Sequence, residues 1–250
     1  MTDLGIHSAP EIMRFGSNAI IVRFGIQVSA GAVDAVRALG YAIETAEFPW
    51  VTQSAASLTS VMIEFDTEKI TPLRAQSIVE GFVSQQNWLM AKRKKATRRW
   101  HIPVSFGGCF GPELAEAAGL ADVCETQAIT ELTGADIEVL TIGFAPGQPY
   151  LGLLPEHWNM PRRRSINPRV PAGSLVAAVR QLVLFNSDSA TGWRHVGQTG
   201  FRPFKSDRLD PIVLQAGDAV RFHAISPTEL QDLLVNNPQG LGGAWCEILE

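Results

Sequence analysis

The residues with the greatest capacity for chemistry lie in three closely spaced motifs. In order they are Gly143-Phe-Ala-Pro-Gly-Gln-Pro-Tyr-Leu-Gly152, Pro161-Arg-Arg-Arg164 and Val170-Pro-Ala-Gly-Ser174. Proline removes backbone donors and glycine permits left-handed backbone, so this composition predicts little regular secondary structure. Apolar side chains such as Leu154 and Trp158 argue against disorder, because they give the segment groups to bury. Since long irregular segments inside domains are usually functional or disordered, we predict an ordered, site-forming segment.

The arginine run suits the binding of an anion. Guanidinium groups present planar forks that match carboxylate or phosphate. Consecutive side chains cannot all face one site, so we expect two of Arg162, Arg163 and Arg164 to point to solvent. The alternative for each is a structural ion pair that holds the loop.

The motif that ends at Ser174 combines small residues, backbone donors and a hydroxyl, which could receive an anion or a carbonyl oxygen. It is neither a Gly-x-Ser-x-Gly nucleophile elbow nor a phosphate-binding P-loop. We therefore expect Ser174 to donate a hydrogen bond rather than to act as a covalent nucleophile. The five histidines include no i, i+4 pair, so no metal site is predicted. Trp193 either lines a pocket or fills the core.

The bulk composition is that of a globular protein. The chain has 250 residues, 46% of them hydrophobic and 18% charged, with a net charge of −4. This charge gives no overall reason to bind nucleic acid. Three cysteines without metal-ligand spacing suggest a reducing compartment. With no signal peptide and no apolar run of ~20 residues, we expect a cytoplasmic protein that does not enter the membrane.

Residues 1–95 are predicted to form an N-terminal α+β domain. Residues 11–24, with Ala19–Phe24 following a Gly-Ser-Asn turn, are predicted to form a strand that precedes a helix capped by Ser29. A second strand over residues 58–65 precedes a helix that starts at Thr71-Pro72. Six basic residues between Lys92 and Arg99 follow. We interpret them as a solvated linker or edge strand, with a patch that binds an anion or nucleic acid as the alternative.

Residues 96–250 are predicted to form a β-rich barrel or sandwich. Helices are expected from Gly111 to about Gly119, after a cap at Thr126, and over residues 227–234. The strand candidates share short length and flanking turn residues. They are residues 100–106, 137–142, 175–178, 182–185, 195–197 and 219–222.

Several motifs in this order resemble the family of the 5-oxoprolinase B subunit, also known as allophanate hydrolase subunit 1 or sporulation-kinase inhibitor. They are Gly16-Ser-Asn-Ala-Ile20, Ser57-Leu58, Pro103-Val-Ser-Phe-Gly-Gly-Cys-Phe-Gly-Pro-Glu-Leu114, Gly143-Phe-Ala-Pro-Gly-Gln-Pro-Tyr-Leu151, Pro161-Arg-Arg163, Val170-Pro-Ala-Gly-Ser174 and Gly192-Trp193. The resemblance covers nearly the whole chain. It implies an α+β fold, with a ferredoxin-like N-terminal domain followed by a cyclophilin-like β-barrel.

The resemblance also implies partners and a reaction. Family members act with a homologous C subunit, and in the 5-oxoprolinase assembly a third subunit of the LamB/YcsF type joins them to open the lactam of 5-oxoproline with ATP. Related domains form the carboxyltransferase module of urea carboxylase. The expected function is therefore that of the B subunit of an ATP-dependent hydrolase of cyclic or urea-like amides, active only with its partner. The alternative is a non-catalytic regulator that binds and inhibits a histidine kinase.

The substrate-binding residues expected from the motifs and the resemblance form one set. The pocket is predicted to be lined by Tyr150, Arg162, Arg163, Ser174, Gln181 and Trp193, and shaped by Pro146, Gly147, Ala172 and Gly173. The chain departs from the family over Ala178–Asn186, where Leu182-Val183 replaces a Thr-Gly pair. Gln148 replaces the second Phe of its motif. These departures predict a reshaped site and admit a different amide, lactam or urea-like substrate.

Overall fold

A computed structural model describes residues 6–249, with side chains from residue 9 onward. The chain divides into two compact units between Lys94 and Lys95. No helix in the described part of the chain has the length and apolar character needed to cross a membrane.

The first unit is a four-stranded antiparallel sheet with two helices. Its elements are β1 Ile6–Phe15, β2 Ala19–Gly25, α1 Ala30–Thr45, β3 Val51–Ala56, β4 Ser60–Phe65 and α2 Pro72–Val83. The strands lie in the order β1-β2-β4-β3. This arrangement confirms the predicted ferredoxin-like unit. It is a variant in which the edge strand beside β2 is the first strand of the chain, β1, rather than the last.

Both helices begin where the sequence predicts. The side chain of Ser29 accepts from the Ala32 N–H, and that of Thr71 accepts from the Arg74 N–H, so each helix has a capped first turn. The buried face of α1 includes Val36 and Leu39, which pack against the sheet in one apolar cluster.

The second unit is built mainly from strands. They are β5 Arg98–Phe106, β6 Ile137–Ile142, β7 Pro149–Gly152, β8 Asn167–Val170, β9 Ser174–Ala178, β10 Gln181–Leu184, β11 Ser189–Thr191, β12 Arg194–Gln198, β13 Ala219–Ala224 and β14 Trp245–Ile248. Seven of them follow the order β12-β9-β10-β7-β6-β13-β5, and a β12–β5 pairing closes the barrel. β14 pairs with the start of β5, while β8 and β11 form a separate ribbon. The closed barrel confirms the predicted fold class.

The core of this unit lies inside the barrel. Leu151, Leu175, Leu182 and Phe222 supply alternate side chains of their strands to it. Three helices complete the unit, α3 Leu114–Leu120, α4 Glu125–Gly134 and α5 Pro227–Val235. Leu132 and other residues of α3 and α4 pack into the same core.

Several predicted elements need correction. The segment expected to be irregular contains β7, because its backbone pairs with both β6 and β10. Helix α4 begins at Glu125, with Cys124 rather than Thr126 at the N-cap position. The end of the basic segment, Arg98 and Arg99, belongs to β5, where each arginine pairs with a carboxylate. Strand β1 was not predicted as separate from β2, and four further strands were not predicted at all, namely β3, β8, β11 and β14.

Candidate functional site

Four neighbouring strands of the barrel form the candidate site. Tyr150 on β7 lies opposite Val183 on β10, Val183 lies opposite Val176 on β9, and Val176 lies opposite His195 on β12. Directly opposed residues project from the same side of a sheet. Leu151, next to Tyr150, packs into the barrel core. The row from Tyr150 to His195 therefore points away from the core, on what we call the outer face.

Two further predicted residues share this face. Gln181 precedes Val183 by two positions and lies opposite Ala178, while Ser174 precedes Val176 by two and lies opposite Gln198. Both side chains are buried. The register thus brings Tyr150, Ser174 and Gln181 onto one surface.

Trp193 covers part of the outer face. It belongs to an apolar cluster with Val176, Val183 and the partly buried Tyr150. Its ring meets the Tyr150 ring edge to face, at 6.2 Å between centroids and 75° between planes. The Arg162 guanidinium carbon lies 5.1 Å from the centre of the Trp193 ring, within cation–π range. Trp193 both fills a cluster and forms a surface for a charged side chain.

The other two arginines of the run lie elsewhere. Arg163 makes an ion pair with Glu113, and its backbone N–H donates to the Gly192 carbonyl over 2.6 Å. Glu113 also accepts from the His195 backbone N–H over 2.6 Å. Arg163 therefore holds its own segment against Gly192, as the structural alternative describes, while Arg162 and Arg164 are exposed.

Ser174 is fully buried in a polar network. Its Oγ lies 2.7 Å from the Pro171 carbonyl oxygen and 3.1 Å from Gln198 Oε1, two acceptors that share its single proton. Gln198 Nε2 donates in turn to the Ala172 carbonyl over 2.7 Å. A hydroxyl engaged in this way shapes the loop and is not activated as a nucleophile.

The loop before Ser174 is fixed at both of its small residues. The Ala172 N–H donates to Asp188 over 2.9 Å, and this hydrogen bond, with the neighbouring Arg169, lowers the pKa of Asp188. Gly173 has φ +84°. Its N–H donates to the Phe185 carbonyl over 2.7 Å, and its carbonyl accepts from the Thr199 N–H over 3.0 Å.

The β6–β7 loop presents its residues differently. Pro146 is exposed. Gly147 is buried at φ +67°, and a Cβ there would lie 2.8 Å from Phe204 Cβ. Gln148 is 1% exposed, and among the described residues neither its Nε2 nor its Oε1 has a hydrogen-bond partner.

His195 is the site residue that the sequence analysis missed. It is 4% exposed, and its Nε2 lacks a hydrogen-bond partner among the described residues. Burial lowers the pKa of His195, against the upward effect of hydrogen bonds with the Gly197 backbone and the Gln198 side chain. The ring is therefore neutral at pH 7. The sequence did contain a signal for His195, which lies two residues after Trp193. Alternate residues of a strand share a face, so the two side chains could be expected on the same side.

Among the described residues, this arrangement shows no activated nucleophile. Its accessible groups are the partly buried ring of Tyr150 and the exposed guanidinium of Arg162, whereas the side chains of Trp193, Gln181 and His195 are buried. Among the side chains that the structure describes, no three from His, Cys, Asp or Glu are placed to share a metal ion.

Comparison with known proteins gives concordant matches. Residues 10–214 match the family described as carboxyltransferase domain, subdomain C and D. The chain is 30% identical over 223 residues to the 5-oxoprolinase B subunit of Bacillus subtilis, covering 86% of this chain and 93% of that one.

Solved structures share the fold. The protein TTHA0988 matches with TM-score 0.67 at 24% identity, over 83% of this chain and 40% of that one. The Kluyveromyces lactis urea amidolyase matches with TM-score 0.77 at 16% identity, over 95% of this chain and 16% of that one. The chain thus spans less than half the length of either solved protein. These solved structures show a shared fold. The family model over residues 10–214 and the Bacillus subtilis relative show that the chain belongs to the carboxyltransferase subdomain C and D family.

Proposed function

We propose that this chain is the B subunit of a two- or three-component ATP-dependent amidohydrolase that opens 5-oxoproline or a related lactam or urea-like amide. The observation that carries the proposal is the similarity to the Bacillus subtilis 5-oxoprolinase B subunit, which extends over 93% of that protein. In the proposed reaction the complex hydrolyses the lactam C–N bond, water supplies the hydroxyl and the proton, and ATP is hydrolysed alongside.

The outer face suits such a substrate. A five-membered lactam is small and nearly planar, so it can lie against the partly buried aromatic ring of Tyr150. Its carboxylate can pair with the exposed guanidinium of Arg162 beside Trp193.

Companion subunits supply the remaining chemistry in this proposal. The Ser174 hydroxyl is engaged with two acceptors, and the neutral His195 is buried. A homologous C subunit therefore completes the site in this proposal, and a subunit of the LamB/YcsF type can join them. ATP is used by the assembled complex.

The test is ATP-dependent release of glutamate from 5-oxoproline by the purified chain mixed with the C subunit and the third subunit from the same organism. We expect no activity from this chain alone. In the active mixture, Arg162→Ala should lower kcat/KM by about 10- to 150-fold, because a hydrogen bond to a charged group is worth about 1.5–3 kcal/mol.

Arg164→Ala is the matched control, because Arg164 belongs to the same run and is also exposed. It should leave kcat/KM within about twofold. Equal effects of the two substitutions would refute the role of Arg162. The chain would instead be assigned as a regulator if it formed no complex with the C subunit and bound and inhibited a histidine kinase.

A further inference from the structure

The β6–β7 loop displays an aromatic side chain that the folded chain does not bury. Phe144 is 86% exposed and has φ +70°. A bulky residue seldom adopts this left-handed conformation, because its Cβ then approaches the following carbonyl oxygen. Exposure of the ring and strain in the backbone both lower the stability of the isolated chain. Their combination suggests that the ring is used outside it.

The loop holds Phe144 in this position through its own hydrogen bonds. The Gly143 N–H donates to the Gln148 carbonyl, and the Gln148 N–H donates to the Ala145 carbonyl, each over 3.1 Å. Gly147 packs against Phe204, where a Cβ would lie 2.8 Å from the Phe204 Cβ. The ring therefore projects from a hydrogen-bonded turn seated on the neighbouring segment. Such a preorganised aromatic is typical of an interface anchor.

The neighbouring segment adds apolar side chains. Phe204, which touches Gly147, pairs with Ile212 through an isolated β-bridge. Ile212 is 39% exposed, and Leu209 within the same segment is fully exposed. We call Phe144, Leu209 and Ile212 the Phe144 patch. The two loops touch at Gly147 and Phe204, and both expose large apolar side chains.

We infer that the Phe144 patch docks the companion C subunit, with the Phe144 ring inserted into an apolar pocket of that partner. This inference rests on the proposed function and adds where the partner binds. The loop leads directly into β7, whose Tyr150 lies on the outer face. A partner seated on the patch therefore borders the candidate site, as a site completed by two subunits requires. The similar Bacillus subtilis protein is itself named as one subunit of an enzyme.

The test compares Phe144→Gly with the unmodified chain. Glycine removes the ring and accepts φ +70° without strain, so the variant should melt at the same temperature as the parent chain or higher. Its affinity for the purified C subunit, measured by isothermal titration calorimetry, should fall by about 30-fold or more, as expected for loss of an aromatic anchor. Phe144→Asn should behave similarly, because asparagine tolerates this conformation.

Val235→Ser is the matched control, because Val235 is 89% exposed at the end of α5 in the same unit. It should leave affinity within about twofold. If the unmodified chain binds the C subunit and Phe144→Gly binds equally well, the docking inference is overturned and the proposed function survives. If the unmodified chain does not bind the C subunit at all, both are overturned.

Discussion

Replacement of Gly173 by alanine should destabilise the barrel unit more than any other single-methyl addition in the site loops. The residue has φ +84°, where an alanine costs about 1–2 kcal/mol. The added Cβ would also fall well inside van der Waals distance of the Thr199 carbonyl oxygen and of Arg202 Nη1. The arginine can swing away, but Thr199 is fully buried and its N–H donates to Gly173 itself.

Relief of the clash must therefore disturb the backbone bonds that Gly173 makes to Phe185 and Thr199. At about 1 kcal/mol for each hydrogen bond, the total loss comes to about 3–4 kcal/mol. For a unit of this size, such a loss lowers Tm by about 10 °C. Differential scanning calorimetry measures this directly.

Gly143→Ala is the matched control. No atom lies within 4 Å of its added Cβ, and its φ is outside the left-handed range. Its Tm should change by less than about 2 °C. If Gly173→Ala and Gly143→Ala have the same Tm, the reasoning from φ and close contact at this loop is wrong.

Three further substitutions test other parts of the structure. Asp218→Ala removes the carboxylate that Arg98 binds through two nitrogens, at 2.9 and 2.6 Å. The free energy of unfolding, measured in urea, should fall by about 3 kcal/mol, and a loss below about 1 kcal/mol would contradict this. His195→Leu should remove part of the loss of stability on acidification. Burial lowers the pKa of His195 below the value of about 6.5 expected in the unfolded chain. As the pH falls below that value, the unfolded chain binds a proton that the folded chain resists, so the free energy of unfolding decreases. Urea denaturation at pH 7.5 and at pH 5 measures this. The same decrease in unfolding free energy in the parent chain and in His195→Leu would refute it. Trp193→Ala empties the cluster against Tyr150 and should cost about 3–5 kcal/mol, and a smaller loss in chemical denaturation would show that the ring is not packed as described.

Local signals predicted those elements that carry their own pattern. Helix α1 starts after Ser29 because that side chain caps the helix in the sequence as in the structure. Strand β6 spans Ile137–Ile142 as predicted, since its apolar residues mark a buried run. Strand β3 was missed because most of its residues are polar or small and partly exposed, so no alternation marks it.

Strand order and edge strands were beyond local reasoning. The pairing of β12 with β5 joins Gly197 to Phe106, which lie far apart in the sequence, and it closes the barrel. β14 has only exposed residues and is a strand because β5 offers it an edge. Long-range pairing of this kind depends on the whole sheet, so short-range periodicity cannot reveal it.

Residue type and order were enough to identify the family, the β-rich second unit and the motifs that contribute to the site. How those motifs meet depends on the folded chain. Register between four strands places Tyr150 and Ser174 on one face and adds His195, while Arg162 reaches Trp193 and Arg163 is held by Glu113. Neighbouring arginines of identical chemistry thus receive different roles, because side-chain direction is set by backbone contacts that no local pattern encodes.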